Sequence, residues 1–155
     1  MDGKRILDIC KKCGARCCKT GSADLTKKEV DRIRGSMPDL KFVKLRNNHY
    51  WIETGNDGIC KCLKKDNSCK IYNLRPNFCR CWPVFLKLKK NREEYWLANC
   101  ALAKELGKKD IEKMKLICEK MPRDLFRNYW GSANLSKKAE NELKKELENF
   151  KGKTI

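Results

Sequence analysis

The chain contains no glutamine, one histidine, only four prolines and no apolar run longer than a few residues. A membrane-spanning helix needs roughly 18 or more predominantly apolar residues, so no segment is expected to cross a bilayer and no membrane partner is expected. The opening residues Met1-Asp-Gly-Lys-Arg-Ile6 lack the apolar stretch of a secretory leader, which makes a cytoplasmic location the expectation. A single histidine excludes the paired histidines of ordinary zinc fingers. It is His49, beside Asn47-Asn48 in what reads as a hairpin turn, and it is expected to be solvated. Phosphate loops, dinucleotide loops and serine-nucleophile motifs are also missing.

What is present is charge and cysteine. The 155 residues are 41% hydrophobic and 37% charged. That supports a compact fold of one-domain size with a charge content well above the usual quarter. The net charge is +17, with 23 Lys and Arg against 11 Asp and Glu in residues 1–100, and 14 against 9 thereafter. Such an excess ordinarily points to an anionic partner such as nucleic acid. Ten of the eleven cysteines lie in the first hundred residues, however, and metal ligands bind deprotonated, so part of the cationic excess offsets thiolates. No nucleic-acid motif is present and few aromatic residues alternate with the basic ones as stacking platforms. Nucleic acid is therefore a disfavoured partner.

Eleven cysteines in a reducing compartment are better suited to ligating metal than to forming disulfides. A composition rich in Lys, Glu, Arg and Ile would suit a hot habitat, so disulfides remain the alternative. Cys10 and Cys13 have the C-x-x-C spacing at which two sulfurs of one loop reach the same ion. Cys17 and Cys18 are adjacent, and diverging neighbours serve two ligand positions better than one strained disulfide. Gly14 between the pairs can take a left-handed conformation and turn the chain. A second group comprises Cys60, Cys62, Cys69, Cys79, Cys81 and Cys100. Only one C-x-x-C knuckle exists, which disfavours a zinc ribbon. Cys118 stands alone on an apolar helix face and reads as a small hydrophobe. Arg75 and Arg80 flank Cys79, where guanidinium groups can bond thiolates or an anionic ligand, or simply pair at the surface.

Between the cysteine groups, Thr26-Lys-Lys-Glu29 has capping-box form, with Leu25 and Val30 at the staple positions and Gly35 and Pro38 as a stop. This predicts a helix over 27–35. Residues 41–54 and 58–63 read as extended, forming a small antiparallel meander, and Val84–Leu88 is expected to pair with Tyr95–Leu97 across Asn91. Residues 73–83 form a helical turn bounded by prolines. Ile111, Met114, Ile117, Cys118 and Met121 then recur at helical spacing before Pro122. A short aromatic helix through Leu125, Phe126, Tyr129 and Trp130, stopped by Gly131, and a last helix capped by Ser136 with Ala139, Leu143, Leu147 and Phe150 complete the expectation.

The cysteine pattern resembles the YkgJ-type cysteine-cluster family over roughly residues 10–100. That family's signature opens with C-x-x-C-x-x-C-C and continues as Cys, then Cys-x-Ile-Tyr-x-x-Arg-Pro-x-x-Cys-Arg-x-Phe-Pro. Here the later piece stands as Cys62, then Cys69-Lys-Ile71-Tyr72-Asn-Leu-Arg75-Pro76-Asn-Phe-Cys79-Arg80-Cys81-Trp82-Pro83. Two departures are a third residue before the Cys17-Cys18 pair and Trp82 in place of phenylalanine. The resemblance implies a zinc- or iron-chelating domain, with an iron–sulfur cluster as one form of the iron. The ligand set it implies is Cys10, Cys13, Cys17, Cys18, Cys62, Cys69 and Cys79, with Cys100 as an eighth. Arg75 and Arg80 are the candidate cofactor-binding residues, while Cys60 and Cys81 stay unassigned. The expected fold is α+β: a small cysteine-rich metal-binding domain over 1–104, with short antiparallel strands, and a helical C-terminal extension over 105–155 packed on it. Two alternatives remain open, a cluster-dependent protein-modifying enzyme similar to lysine methylases and a zinc-stabilised nucleic-acid-binding protein.

Overall fold

The computed structural model describes residues 1–45, 48–89, 92–126 and 152–155, with single positions at 141 and 145. Among these residues the named elements are six helices and two three-stranded antiparallel sheets, an α+β arrangement. Helix α1 (Gly3–Lys12) starts where the Asp2 carboxylate accepts the Arg5 amide at 2.8 Å. Gly14 (φ 78°) and Ala15 (φ 50°) then reverse the chain in consecutive left-handed conformations. This opens the one-turn helix α2 (Arg16–Lys19).

The expected capping box is present. The Thr26 hydroxyl accepts the Glu29 amide, the Glu29 carboxylate accepts the Thr26 amide at 2.9 Å, and helix α3 runs Lys27–Ser36. The flanking Leu25 and Val30 are both fully buried, as the staple requires. Strand β1 (Asp24–Thr26), β2 (Phe42–Lys44) and β3 (His49–Ile52) form the first sheet in the order β1-β3-β2, with Asp24 opposite Trp51 and Phe42 opposite Ile52. Leu25, Val30, Ile33, Leu40, Ile52 and Ile71 make a small core between this sheet and α3, into which Cys60 and Cys62 also pack.

Residues 58–63 do not form the expected strand. They belong to a long loop held by isolated bridges, Thr54 with Cys60 and Leu63 with Cys69. Gly58 at φ 77° and Asn67 at φ 61° break extended pairing. The Asp57 and Asp66 carboxylates bond the Ile59 and Ser68 amides instead, because short acidic side chains offer the backbone a local partner. His49 is also not a solvated turn residue. It lies in β3, is buried, and its Nε2 is 2.6 Å from Asp124 Oδ2.

Helix α4 (Asn77–Cys81) follows a 3₁₀ turn at Tyr72–Leu74. The predicted hairpin is found as β4 (Val84–Lys89) with β5 (Arg92–Leu97), and β6 (Lys153–Thr154) adds a third strand to it. Asn91 lies outside the described residues. Helices α5 (Ala101–Glu105) and α6 (Lys108–Glu119) come next, then a 3₁₀ turn at Arg123–Phe126. Leu125 and Phe126 are in that turn. The remaining residues on which the last two helices were expected, Tyr129 to Phe150, fall outside the described segments. The larger core joins Val84, Leu86 and Leu97 to Met114, Met121, Leu125 and Phe126, so residues on both sides of position 104 share it. Among the described residues, no helix is long and apolar enough to cross a membrane.

Candidate metal centre

Cys10 sits in the last turn of α1 and Cys13 caps it. The left-handed reversal at Gly14 and Ala15 folds α2 back, where the Ala15 amide reaches the Cys10 carbonyl at 2.9 Å. Cys17 and Cys18 are thereby carried beside Cys10. The long loop is pinned to this corner through its backbone, the Cys60 amide donating to the Cys18 carbonyl at 2.9 Å. Helix α4 brings Cys79. Two positions along a helix turn a side chain by about 200°, so Cys79 and Cys81 cannot face the same way.

The result is one cavity of about 120 Å³, bordered by Cys10, Cys17, Cys18, Cys60, Cys69 and Cys79. Five of these are in the ligand set the resemblance implied, and Cys60 joins them. Cys62 stands behind Cys60 and hydrogen-bonds it, with Cys69 and Cys79 close enough to raise its pKa. Cys13 and Cys100 neighbour Cys10 on the side where α1 packs on α5, and the Trp82 side chain hydrogen-bonds Cys100. Arg75 borders the cavity with its guanidinium stacked 3.8 Å from the Tyr72 ring centre. Arg80 does not reach the cavity, being exposed and bonded to Asn77 Oδ1 at 3.3 Å. Cys81 faces the larger core with Cys118.

The protonation pattern follows from burial. Desolvation pushes Cys10 up to about 12 and Cys69 up to about 11, and it holds Cys79 and Cys100 above the ordinary thiol value. Arg75 opposes this at Cys10, Cys69 and Cys79. Two thiol pairs break the trend. Cys17 donates to Cys18, raising its own pKa and lowering that of Cys18. Cys62 donates to Cys60, which falls to about 6, helped by the Ser22 hydroxyl at 3.6 Å. Cys18 and Cys60 are therefore the readier thiolates, and a bound cation would offset the burial that holds the protons on Cys10, Cys69, Cys79 and Cys100.

Among the described residues, no three Cys, His, Asp or Glu side chains already stand together as the donor set of one ion. Thiols that hydrogen-bond one another point at sulfur rather than at a shared centre, and exchanging those protons for metal bonds near 2.3 Å requires side-chain rotation. The donor chemistry fits. A donor set of thiols suits tetrahedral zinc and iron–sulfur clusters alike.

Two polar groups on the same wall were not anticipated from the sequence. Asp24 is buried, burial raises its carboxyl to about 7, and its Oδ1 has no hydrogen-bond partner; the same is true of the buried Trp51 Nε1 across the strand pair. Neither belongs to a motif. Only the pairing of β1 with β3 places them at the cavity.

A family model described as "Putative zinc- or iron-chelating domain" matches residues 9–119. No curated protein and no solved structure matches the chain.

Proposed function

Because the chain belongs to the CxxCxxCC family of zinc- or iron-chelating domains, we propose that it binds zinc or iron through the thiols of Cys10, Cys17, Cys18, Cys60, Cys69 and Cys79. Cys62, Cys13 and Cys100 stand ready at the margin as further ligands or hydrogen-bond partners. The observation that carries this reading is the convergence of six sulfurs, drawn from α1, α2, the long loop and α4, on one cavity with Arg75 at its edge. Six sulfurs exceed the four that a single tetrahedral zinc or one iron–sulfur cluster takes, so the set serves either two centres or one centre with spare thiols beside it. Zinc would supply a structural tie there, and a cluster would supply one-electron chemistry. The chain's own part is to hold the sulfurs, to offset their charge with Arg75, and to keep bulk water out with Leu7, Leu63, Phe78 and Leu102. Such a thiol-rich site is suited to a reducing compartment such as the cytoplasm.

Purification without oxygen, followed by an absorption spectrum and zinc, iron and sulfide analysis, tests the proposal. A colourless protein with stoichiometric zinc, or a brown one with iron and acid-labile sulfide, is the expected result. Protein that stays free of both metals after reconstitution would overturn it.

The unpartnered Asp24 Oδ1 and Trp51 Nε1 on the cavity wall favour a second reading, in which a small polar molecule is bound and modified beside the metal. Metal-loaded protein whose Trp fluorescence and thermal stability are unchanged by a broad metabolite panel would exclude it.

A further inference from the structure

Strands β1 and β3 supply no thiol, yet they put two polar groups on the wall of the thiol cavity. Asp24 and Trp51 stand opposite one another in the antiparallel pair, so their side chains leave the same face of the sheet side by side. Asp24 Oδ1 and Trp51 Nε1 are both buried, and neither has a hydrogen-bond partner. The hydroxyls of the same wall are engaged. That of Thr20 is shared between the Arg16 and Cys17 carbonyls, each at 3.2 Å, that of Ser22 donates to Cys60 Sγ at 3.6 Å, and that of Tyr72 donates to the Gly3 carbonyl. The sheet therefore offers the cavity an acceptor, the Asp24 oxygen, and beside it a donor, the Trp51 N–H.

We infer that this wall binds a small molecule through a primary carboxamide, whose N–H donates to Asp24 Oδ1 and whose C=O accepts from Trp51 Nε1. The inference rests on the second reading above and names the chemical class that reading leaves open. A buried polar group without a partner is destabilising, so the ligand that serves both atoms is favoured over one that serves either alone. A primary ammonium would serve Asp24 and leave Trp51 Nε1 orphaned. A carboxylate would serve Trp51 and set its own charge against Asp24. A carboxamide carries donor and acceptor on one planar group, and a carboxyl keeps an accepting oxygen whether it is ionised or protonated.

Size and lining fix the rest of the ligand. The cavity of about 120 Å³ is of the same class as an engineered cavity of about 150 Å³ that holds benzene, so its occupant has roughly six non-hydrogen atoms at most. Leu7, Leu63, Phe78 and Leu102 also border the cavity, and they suit a short apolar body behind the amide. The same group occurs on glutamine side chains, but a side chain must bring its backbone to the cavity mouth. A free molecule fits the enclosed volume without that demand.

The full chain, loaded with zinc and isotope-labelled for nitrogen NMR, is titrated with butyramide, butylamine and butyrate, three probes of similar size. The reporter is the indole N–H signal of Trp51, identified as the one of the four tryptophan signals that Trp51→Phe removes. Butyramide is expected to shift it saturably and to bind about 10-fold or more tighter than either other probe. Asp24→Leu removes the acceptor, leaves the reporter in place and should abolish the shift, whereas Asp24→Asn keeps an accepting oxygen and should retain it. The probe comparison on the unaltered chain does not depend on either Asp24 variant folding. Butylamine or butyrate binding as tightly as butyramide would overturn the amide assignment and leave the second reading standing. No shift with any probe would overturn it too, and the metabolite panel then decides the second reading separately. A glutamine residue blocked at both ends that binds as tightly as butyramide would overturn the assignment to a free molecule. Zinc content, measured on the same sample, reports on the metal reading independently.

Discussion

Glu29 serves two helices at once: its Oε2 accepts the Thr26 amide at 2.9 Å, and its Oε1 accepts the Asn77 amide at 2.8 Å, 48 residues away. The first bond completes the capping box of α3. The second satisfies an orphan amide at the start of α4, the helix that presents Cys79. A residue chosen for a local start signal thus also positions one wall of the thiol cavity.

Glu29→Ala is expected to remove both bonds and to leave the amides of Thr26 and Asn77 without this partner. Each such loss costs about 1–3 kcal/mol. Urea denaturation should show a destabilisation near the upper end of that range, and metal content after purification should fall. Glu29→Gln keeps the shape but turns one of the two accepting oxygens into an NH2 donor, so it can keep only one of the bonds and should fall between the parent chain and Glu29→Ala.

Complete metal removal is expected to loosen the corner formed by α1, α2 and the long loop. That corner has few apolar contacts of its own, and ligand free energy there is folding free energy. The far-ultraviolet circular dichroism signal should shrink but retain the contribution of α6, which packs on β4 in the larger core. An identical melting curve before and after chelation would refute this.

Asp24 makes stability depend on pH in a stated direction. Its carboxyl is raised from 3.8 to about 7 by burial. The folded state therefore holds a proton that the unfolded state has released, and stability falls as pH rises from about 4 to about 7, levelling off above. The decline is on the order of 4 kcal/mol at most. Asp24→Asn should flatten this part of the profile, measured by denaturant unfolding at pH 5 and pH 8. A wild-type chain equally stable at both, with the same result for Asp24→Asn, would count against it.

The two arginines beside Cys79 should behave differently. Arg75 lowers the pKa of Cys10, Cys18, Cys69 and Cys79, so Arg75→Ala is expected to weaken metal binding by about 10-fold or more, in the range typical of partners just outside a metal's ligands. Arg80 bonds Asn77 at the surface, and Arg80→Ala should bind metal like the parent chain. Competition with a chromophoric chelator measures both. Equal losses for the two variants would sink the distinction.

Local signals made much of this fold readable in one dimension. The capping box at Thr26 and Glu29, the aliphatic alternation from Val84 and the helical spacing of Met114 and Cys118 each act within one element, where backbone hydrogen bonding and side-chain period are set by near neighbours. Cysteine spacing went further through the family resemblance it carries, which implied Cys10, Cys13, Cys17, Cys18, Cys62, Cys69, Cys79 and Cys100 as one ligand set, of which Cys10, Cys17, Cys18, Cys69 and Cys79 border the cavity. The same spacing said nothing of Cys60, and it treated Arg75 and Arg80 alike.

What remained was decided by contacts between segments far apart in the chain. Cys60 reaches the cavity because its amide is bound to the Cys18 carbonyl, and His49 is buried because Asp124 meets it from 75 residues away. Asp24 and Trp51 face the thiols because β1 pairs with β3. Composition and spacing determined that this chain would gather sulfur. Which sulfurs share a cavity, which two are left together in the core, and which arginine compensates their charge depended on the folded packing, since direction and burial arise only when the elements close on one another.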